Sequence, residues 1–319
     1  MTTVLAALSI AAATTVATTA PAPRTIPVEF TSAGTTLRGT LFLPGDAPTG
    51  ARLPAVVVTG AWFTVKEQMA STYAAQMAQR GMAALAFDFR GWGTSDGAIR
   101  QREVPSEKIA DIIAAAAFLA TRPEVDAGRI GGLGICASAG YMSAAAAQSA
   151  VLKSVALVAP WLHDAAIVEA VYGGRSGVDA LITAGRTAKA AAEASGTQTF
   201  LPAASTTDKS ALMGGIPYYT EIDRGMIREW RNEVDPAFWE GWLTFDAQQY
   251  AVRLTQPFLM VHSEAAAIPQ GAKQFFGTVT APKQQLWLDR VTQFGFYDLA
   301  VPVTAASNAV AAHFTSTMR

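Results

Sequence analysis

The sequence predicts an α/β fold in which a doubly wound, mostly parallel sheet is interrupted by a helical insertion. Short runs of apolar, β-branched residues, typical of strands buried on both faces, alternate with helical stretches along most of the chain. This alternation requires a parallel sheet with helices on both faces. It stops at residue 161 and resumes at 255. We therefore divide the chain into an N-terminal extension (1–24), a core (25–160 and 255–319) and an inserted segment (161–254).

The core begins with two predicted strands, 27–31 and 36–43, which meet at Ser32, Ala33 and Gly34, small residues that indicate a hairpin turn. The helix that follows the third strand has Gly81 at its predicted end, as glycine often does. The later elements of the first half are, in order, strand 53–59, helix 65–80, strand 82–89, helix 106–120, strand 129–135, helix 137–149 and strand 151–160. After the inserted segment come strand 257–261, helix 270–278, strand 284–288 and helix 300–314.

Composition excludes several classes of function. Twenty-four basic against 25 acidic residues among 319 leave no basic excess for nucleic acid, so we expect no such partner. Half of the residues are hydrophobic and 15% are charged, which excludes general disorder. One cysteine and three histidines exclude an intrachain disulfide and argue against a cysteine- or histidine-based metal centre. We expect no metal and no cofactor, and we leave a homodimer open.

The first 23 residues resemble the middle and end of a secretory signal peptide. They are rich in Ala and Thr and include an apolar stretch at 4–13, but the first basic residue is Arg24, so the positive start of a signal is missing. We expect a cytoplasmic protein, with export as the alternative if this segment is a signal. No run of 18 uninterrupted apolar residues occurs, so no membrane span is predicted.

The inserted segment is rich in aromatic residues. Ligand sites are concave and lined mainly by apolar and aromatic side chains, so this density favours a lid over an apolar pocket rather than structural filler. We expect the pocket to bind a small apolar molecule. The predicted substrate-binding residues are Trp161, Tyr219, Trp230, Trp239 and Trp242 from the segment, with Phe294 from the loop after the last strand.

The stretch 132–140 (GLGICASAG) lies where a buried strand meets a helix. A nucleophile on a sharp turn needs small neighbours there, because strand and helix approach closely. Cys136 meets this requirement, with Gly134 and Ser138 flanking it. The positive end of the following helix would lower the pKa of its thiol, and the backbone N–H of Ala137 would face the reacting atom. Two alternatives stay open: Ser138 as the nucleophile, or a buried cysteine without chemistry.

Four sequence blocks together resemble the α/β-hydrolase fold, in its dienelactone-hydrolase-like branch, whose nucleophile is a cysteine. The resemblance runs from about residue 27 to 314. It implies a hydrolase-class enzyme with Cys136 as nucleophile, and a second oxyanion-hole N–H from Ala61 or Trp62. The blocks are 58–62 with 64–68, 88–95, the turn at 132–140, and 261–264 with Pro269 and 294–298.

The sequence departs from this family at the catalytic histidine. The loop after the last strand has Gln293 at the expected place, and an amide cannot shuttle a proton near neutral pH. The only carboxylate soon after His262 is Glu264. As replacements we consider His163, beside Asp164, as the general base, and Glu67 as a carboxylate near the thiol by resemblance. His262 is interpreted as structural, and His313 lies on the closing helix, away from the predicted site.

These observations predict an enzyme that acts on an apolar ester, lactone or related carbonyl compound through Cys136 and a backbone oxyanion hole. Losing the histidine while keeping the pocket also suits a cyclase, isomerase or lyase that uses the same pocket without hydrolysis. A non-catalytic ligand-binding protein is the third reading.

Overall fold

An eight-stranded sheet with order β1-β2-β4-β3-β5-β6-β11-β12 forms the centre of the protein in a computed structural model that describes residues 21–319. Pairing is antiparallel from β1 to β2 and from β2 to β4, and parallel elsewhere. This confirms the predicted doubly wound, mostly parallel sheet. The signal-like prediction falls almost wholly on residues 1–20, outside the described part. The strands are β1 (Arg24–Ser32), β2 (Thr35–Leu43), β3 (Leu53–Thr59), β4 (Ala83–Phe87), β5 (Val125–Ile135), β6 (Leu152–Val158), β7 (Leu201–Pro202), β8 (Ala204–Ser205), β9 (Met213–Gly214), β10 (Glu233–Val234), β11 (Phe258–His262) and β12 (Lys283–Trp287).

Helices cover both faces of this sheet. Gly131 and Gly132, neighbours on β5, face Phe314 on one side and Met142 on the other. Across residues 21–319, every helix is too short or too polar to span a lipid bilayer. The helices are α1 (Met69–Ala78), α2 (Pro105–Ala120), α3 (Ser138–Ala146), α4 (Ala165–Val171), α5 (Gly174–Ser195), α6 (Pro217–Thr220), α7 (Trp239–Leu243), α8 (Pro269–Thr278), α9 (Gly295–Asp298) and α10 (Ala300–Thr317), with 3-10 turns at Pro236–Phe238 and Gln248–Arg253.

The predicted hairpin is present and tight. Strands β1 and β2 pair from Arg24 with Leu43 down to Ser32 with Thr35. The two loop residues, Ala33 and Gly34, have φ angles of 46° and 81°. Positive φ at both loop positions is the geometry whose twist matches that of the flanking strands.

Helix α1 begins at Met69, so the prediction that it starts at residue 65 is wrong. The backbone N–H of Val65 donates to the side chain of Gln68 at 3.0 Å, and that of Lys66 donates to Asp88 at 2.8 Å. These side chains hold the preceding residues as a turn, which continues the loop that leaves β3. The loop reaches the edge of the sheet before the helix starts.

The connection from β5 to α3 brings strand and helix close together around the predicted nucleophile. A Cβ atom on Gly134 would lie 2.8 Å from both the Cα of Ala139 and the carbonyl oxygen of Ser138. Cys136 has a φ angle of 57°, in the left-handed region that a side chain rarely adopts. Its N–H donates to Val158 at 3.1 Å and its carbonyl accepts from Trp161 at 2.9 Å, so the end of β6 holds the turn.

Between β6 and β11 the chain leaves the sheet for about 100 residues and forms helices α4 to α7 with two pairs of two-residue strands. Strand β7 pairs with β10, and β8 pairs with β9. The long helix α5 packs on α7 and on the 3-10 turn before it; a Cβ on Gly185 would lie 3.0 Å from Trp239. This stretch therefore brings several aromatic side chains together above the sheet.

Gly134→Ala is expected to destabilise the protein by about 1–3 kcal/mol, because the added methyl group meets backbone atoms that cannot move aside. Urea unfolding at neutral pH measures the change. Gly214→Ala is the matched control, since the space around Gly214 is open, and it should stay within about 0.5 kcal/mol of the parent. Equal stability of the Gly134 variant and the parent would contradict the close strand–helix approach.

Candidate functional site

A cavity of about 850 Å³ lies at the carboxyl edge of the parallel strands. Its lining includes residues that follow β3, β5, β6, β11 and β12, which is where ligands bind in open α/β sheets. The inserted segment supplies the rest of the wall. The residues that line it and matter below are Trp62, Cys136, Trp161, Tyr219, Arg224, Trp239, Gln293, Phe294 and Tyr297.

The Cys136 side chain lines this cavity and is 7% exposed. Burial raises the pKa of its thiol, because a thiolate loses solvation there. Four nearby donors act in the opposite direction on this pKa, because each favours the thiolate: the Tyr297 hydroxyl, the backbone N–H groups of Ala137 and Trp62, and the Gln293 side chain. The net direction is upward, so the uncharged thiol predominates at neutral pH.

The structure distinguishes Ala61 from Trp62 as the donor after β3. The N–H of Ala61 donates to the sulfur of Met69 at 3.4 Å, so it is directed away from Cys136. The N–H of Trp62, one residue later, lowers the pKa of the Cys136 thiol, as does the N–H of Ala137. The positive φ of the next residue, Phe63 at 60°, shows how sharply the chain turns here.

Gln293 is 7% exposed and is held on three sides. Its Oε1 accepts from the N–H of Ala267 at 3.0 Å, and its Nε2 donates to the carbonyl of Ala159 at 2.8 Å and to the hydroxyl of Tyr297 at 3.1 Å. The amide is therefore fixed between the loops that follow β6 and β11, and an amide cannot act as a base near neutral pH.

Tyr297 is the site residue that the sequence analysis missed. It lies on α9 and is 1% exposed, its hydroxyl accepts from Gln293, and it lines the same cavity as Cys136. Burial raises the pKa of Tyr297 well above its usual range, so the hydroxyl stays protonated. The available signal was its position four residues after Gln293 in a block already identified as part of the resemblance.

The structure does not bring His163 to the thiol. Its Nδ1 accepts from the indole N–H of Trp161 at 2.8 Å, and its Nε2 donates to the carbonyl of Trp242 at 3.1 Å. Both ring nitrogens are thus occupied, and burial lowers its pKa from 6.5 to about 4. Of the hydrogen bonds formed within residues 21–319, none joins His163 to Cys136.

Glu67 is also directed elsewhere. Its carboxylate pairs with the ammonium of Lys66 at 2.6 Å, and Lys66 in turn pairs with the buried Asp88 at 2.7 Å. This ion cluster holds the loop after β3 against the next strand. Glu67 is not among the residues that line the cavity.

The other two histidines also lie apart from the thiol's contacts. His262 is fully buried at the end of β11, edge-on to Trp287 with ring centres 5.1 Å apart, and burial lowers its pKa to about 4. His313 contacts the hydroxyl of Ser154 at 2.8 Å. Within residues 21–319, no group of three or more His, Cys, Asp or Glu side chains is arranged to hold a metal ion.

Four of the six predicted substrate-binding residues line the cavity, and two lie behind its wall. Trp161, Tyr219, Trp239 and Phe294 face it. Trp230 instead donates to the carbonyl of Phe63 at 2.7 Å, and Trp242 donates to the hydroxyl of Tyr172 at 2.9 Å while stacking on Trp62. Each of these two indoles satisfies its N–H within the protein and supports a lining residue from behind.

The burial of His163 predicts acid sensitivity. Its pKa is about 4 when folded and 6.5 when unfolded, so the unfolded chain binds more protons between these values. Stability is therefore complete above pH 6.5 and falls by up to about 3 kcal/mol as the pH drops toward 4. Urea unfolding at both ends of this range measures the loss. The His163→Gln variant, whose amide cannot titrate, should lose less stability over this pH range. Some loss remains, because the pKa of buried His262 is also lowered to about 4. An equal loss in both proteins would contradict a buried, neutral His163.

Comparisons with known proteins identify the family. The sequence model of the X-Pro dipeptidyl-peptidase (S15) family matches residues 33–292. An uncharacterized protein of Pseudomonas aeruginosa is 41% identical over 122 residues, 38% of this chain and 33% of that protein. A polyketide transferase of Penicillium crustosum is 40% identical over 121 residues (37% and 39%), and a thiohydrolase of Aspergillus aculeatus is 33% identical over 137 (43% and 42%). The chain thus spans less than half the length of these relatives.

Solved structures show the same fold at low identity. The crystal structure of a hypothetical protein from Pseudomonas aeruginosa superposes with a TM-score of 0.80 at 24% identity, over 98% of this chain and 100% of that one. An α/β hydrolase from Penicillium gives 0.75 at 20% (92% and 99%), and a dienelactone hydrolase from Anabaena variabilis gives 0.53 at 13% (94% and 100%). The chain belongs to the X-Pro dipeptidyl-peptidase (S15) family, and its fold is that of the α/β hydrolases.

Proposed function

We propose that this protein acts on a neutral, apolar carbonyl compound, an ester, lactone or thioester, through covalent attack by Cys136. The observation that supports this most directly is the position of Cys136, on a turn with positive φ at the end of β5, where its side chain lines a large cavity together with Trp62. The backbone N–H groups of Ala137 and Trp62 favour the thiolate over the thiol. In this reading the turn between β5 and α3 is a nucleophile elbow.

The chemistry follows from this arrangement. Cys136 loses its proton to solvent, and the sulfur forms a bond to the substrate's carbonyl carbon. Negative charge then develops on the former carbonyl oxygen, where the N–H groups of Trp62 and Ala137 stabilise it, each by about 3–4 kcal/mol. Collapse of this intermediate expels the leaving group, which takes a proton from solvent, and leaves an acyl group on Cys136.

The cavity's charges support a neutral substrate. The only charged side chain in its lining, as far as residues 21–319 show, is Arg224. Its guanidinium pairs with the Asp298 carboxylate at 2.6 and 2.9 Å, so its positive charge is already compensated and attracts an anionic substrate less strongly. No carboxylate in the described lining could pair with the free amino terminus of a peptide. We therefore propose a substrate unlike the peptides in the family's name.

The inserted segment is proposed to act as a lid. It supplies Trp161, Tyr219 and Trp239 to the wall of the cavity that Cys136 also lines. Aromatic walls of this kind bury an apolar acyl chain and exclude water from the thiol.

Cys136 is expected to be the site of acylation. An activated ester such as p-nitrophenyl butyrate should add one acyl mass to the protein, measured by intact-mass spectrometry, and Cys136→Ala should remove it and lower turnover at least about a thousandfold. Because the thiol's pKa is raised, the acylation rate should climb about tenfold per pH unit into the alkaline range, without a step near pH 6.5.

Ser138→Ala is the matched control for that labelling. The Ser138 hydroxyl is buried, has no hydrogen-bond partner and does not line the cavity, so its removal should leave the adduct unchanged. An adduct that survives in Cys136→Ala, or disappears in Ser138→Ala, would make Ser138 the nucleophile. Tight ligand binding without any adduct would favour a non-catalytic binding protein.

A second candidate, transfer of the acyl group to a nucleophile other than water, is favoured by Gln293. Water attacks an acyl-enzyme readily only when a base removes its proton, and the amide at this position is locked by three hydrogen bonds and cannot act as one. Among the relatives, one is named for transfer, the polyketide transferase, and another for hydrolysis, the thiohydrolase.

We expect the acyl-enzyme to persist in water and to be released by an added nucleophile. Stopped-flow release of p-nitrophenol should show a burst, followed by a slow phase that a small amine or thiol accelerates. Gln293→His, which restores a base, should speed the slow phase at least about tenfold. Steady turnover without a burst in the parent protein would instead indicate efficient hydrolysis.

A further inference from the structure

We infer that two tyrosines of the inserted segment, Tyr172 and Tyr219, donate hydrogen bonds to an oxygen that the substrate carries besides its reacting carbonyl. This role deepens the proposed function and rests on it. The substrate is then an acyl compound with a second acceptor oxygen, such as a ketone or an ether, rather than a plain hydrocarbon chain. In apolar ligand sites, a few polar groups of this kind fix the orientation of the ligand.

The hydroxyl of Tyr172 has a proton left to donate. Tyr172 directly follows α4 and lines the cavity. Its oxygen accepts the indole N–H of Trp242 at 2.9 Å, and an indole nitrogen can only donate, so the Tyr172 proton is directed elsewhere. Within residues 21–319 this is the one hydrogen bond of the hydroxyl. Burial raises the pKa of Tyr172 to about 12, so the hydroxyl keeps its proton at neutral pH.

The hydroxyl of Tyr219 is unpaired within residues 21–319. Tyr219 lies on α6, is 2% exposed and lines the same cavity. Its ring stands edge-on to those of Tyr218 and Phe294, with ring centres 4.9 and 6.0 Å away, so its position is fixed by packing. Burial and the nearby Cys136 thiol raise the pKa of Tyr219 well above its usual range. A buried hydroxyl without a partner costs free energy, and a bound acceptor oxygen would remove that cost.

The described lining of the cavity suits an acceptor oxygen better than an amine. It contains no carboxylate, and the amide of Gln293 is bonded at both ends, to Ala267 and to Ala159. A substrate amine would therefore find no anion there, whereas an acceptor oxygen would find the two hydroxyl donors. Because Cys136 belongs to the core and both tyrosines belong to the inserted segment, a substrate held in this way contacts both parts of the chain.

The test compares p-nitrophenyl octanoate with octanoate esters that carry a ketone at successive carbons of the chain. The second-order rate constant for acylation, taken from the release of p-nitrophenol, is measured in the parent, in Tyr172→Phe, in Tyr219→Phe and in the double variant. In the parent, one ketone position should raise this rate constant about three- to tenfold over plain octanoate, as expected for a neutral hydrogen bond. The double variant should lose this ketone preference, and each single variant should lose part of it.

The plain ester is the reference within each variant, because a general loss of packing slows both esters and leaves their ratio unchanged. Equal rates for all esters in the parent, or a full ketone preference in the double variant, would overturn the inference. A single variant that keeps the full preference would remove its tyrosine from this role. If the double variant does not fold, the two single variants decide, and an unchanged preference in both would overturn the inference.

Tyr218→Phe is the matched control. It removes a hydroxyl from the neighbouring ring on the same helix, and Tyr218 does not line the cavity, so its ketone preference should equal that of the parent. A loss as large as that of Tyr219→Phe would mean that a displaced α6 is responsible and would count against the inference. Failure of the proposed function is distinguishable, because it would appear as full turnover in Cys136→Ala, whereas the ketone preference is a ratio between two esters of one protein.

Discussion

The close approach of β5 and α3 is the constraint on which the site depends. Gly134 has no room for a side chain, so the strand reaches the first residues of the helix, and the chain reverses through the positive φ of Cys136. Strain of this kind persists only where the surroundings hold it, and here the end of β6 does so through both backbone groups of the cysteine. The same turn places the N–H of Ala137 beside the sulfur.

A second theme is charge. The sulfur has to become an anion in a place where burial disfavours it and where the neighbouring groups are neutral hydroxyls and amides. The charged groups closest to the site are paired with opposite charges: Arg224 in the cavity lining with Asp298, Lys66 with Asp88 and Glu67, and Lys108 with Glu103. Among the described residues, the Cys136 sulfur is therefore surrounded by hydrogen-bond donors and by no group that could act as a base. Such a site suits the stabilisation of negative charge and does not suit proton removal.

The sequence predicted the sheet, the hairpin and the place of Cys136, because these depend on local patterns: apolar runs, turn residues and small side chains at a strand end. It left Ala61 and Trp62 undecided, since a shift of one residue in a sharp loop decides which N–H faces the sulfur. His163 looked suitable from its neighbour Asp164, yet its ring nitrogens are bound to Trp161 and Trp242. Tyr297 was not singled out, although it follows Gln293 by four residues, because only the fold shows that Gln293 donates both to its hydroxyl and to the carbonyl of Ala159, which is distant in sequence.

The walls of the cavity come from connections that follow five different strands, while the sheet beneath them is continuous. Each connection can therefore change in length or composition without disturbing the strand pairing. Over evolutionary time the reactive turn can stay fixed while the surrounding chamber is reshaped piece by piece. Evolutionary relatedness would then remain visible in the sheet and the turn long after the substrate has changed.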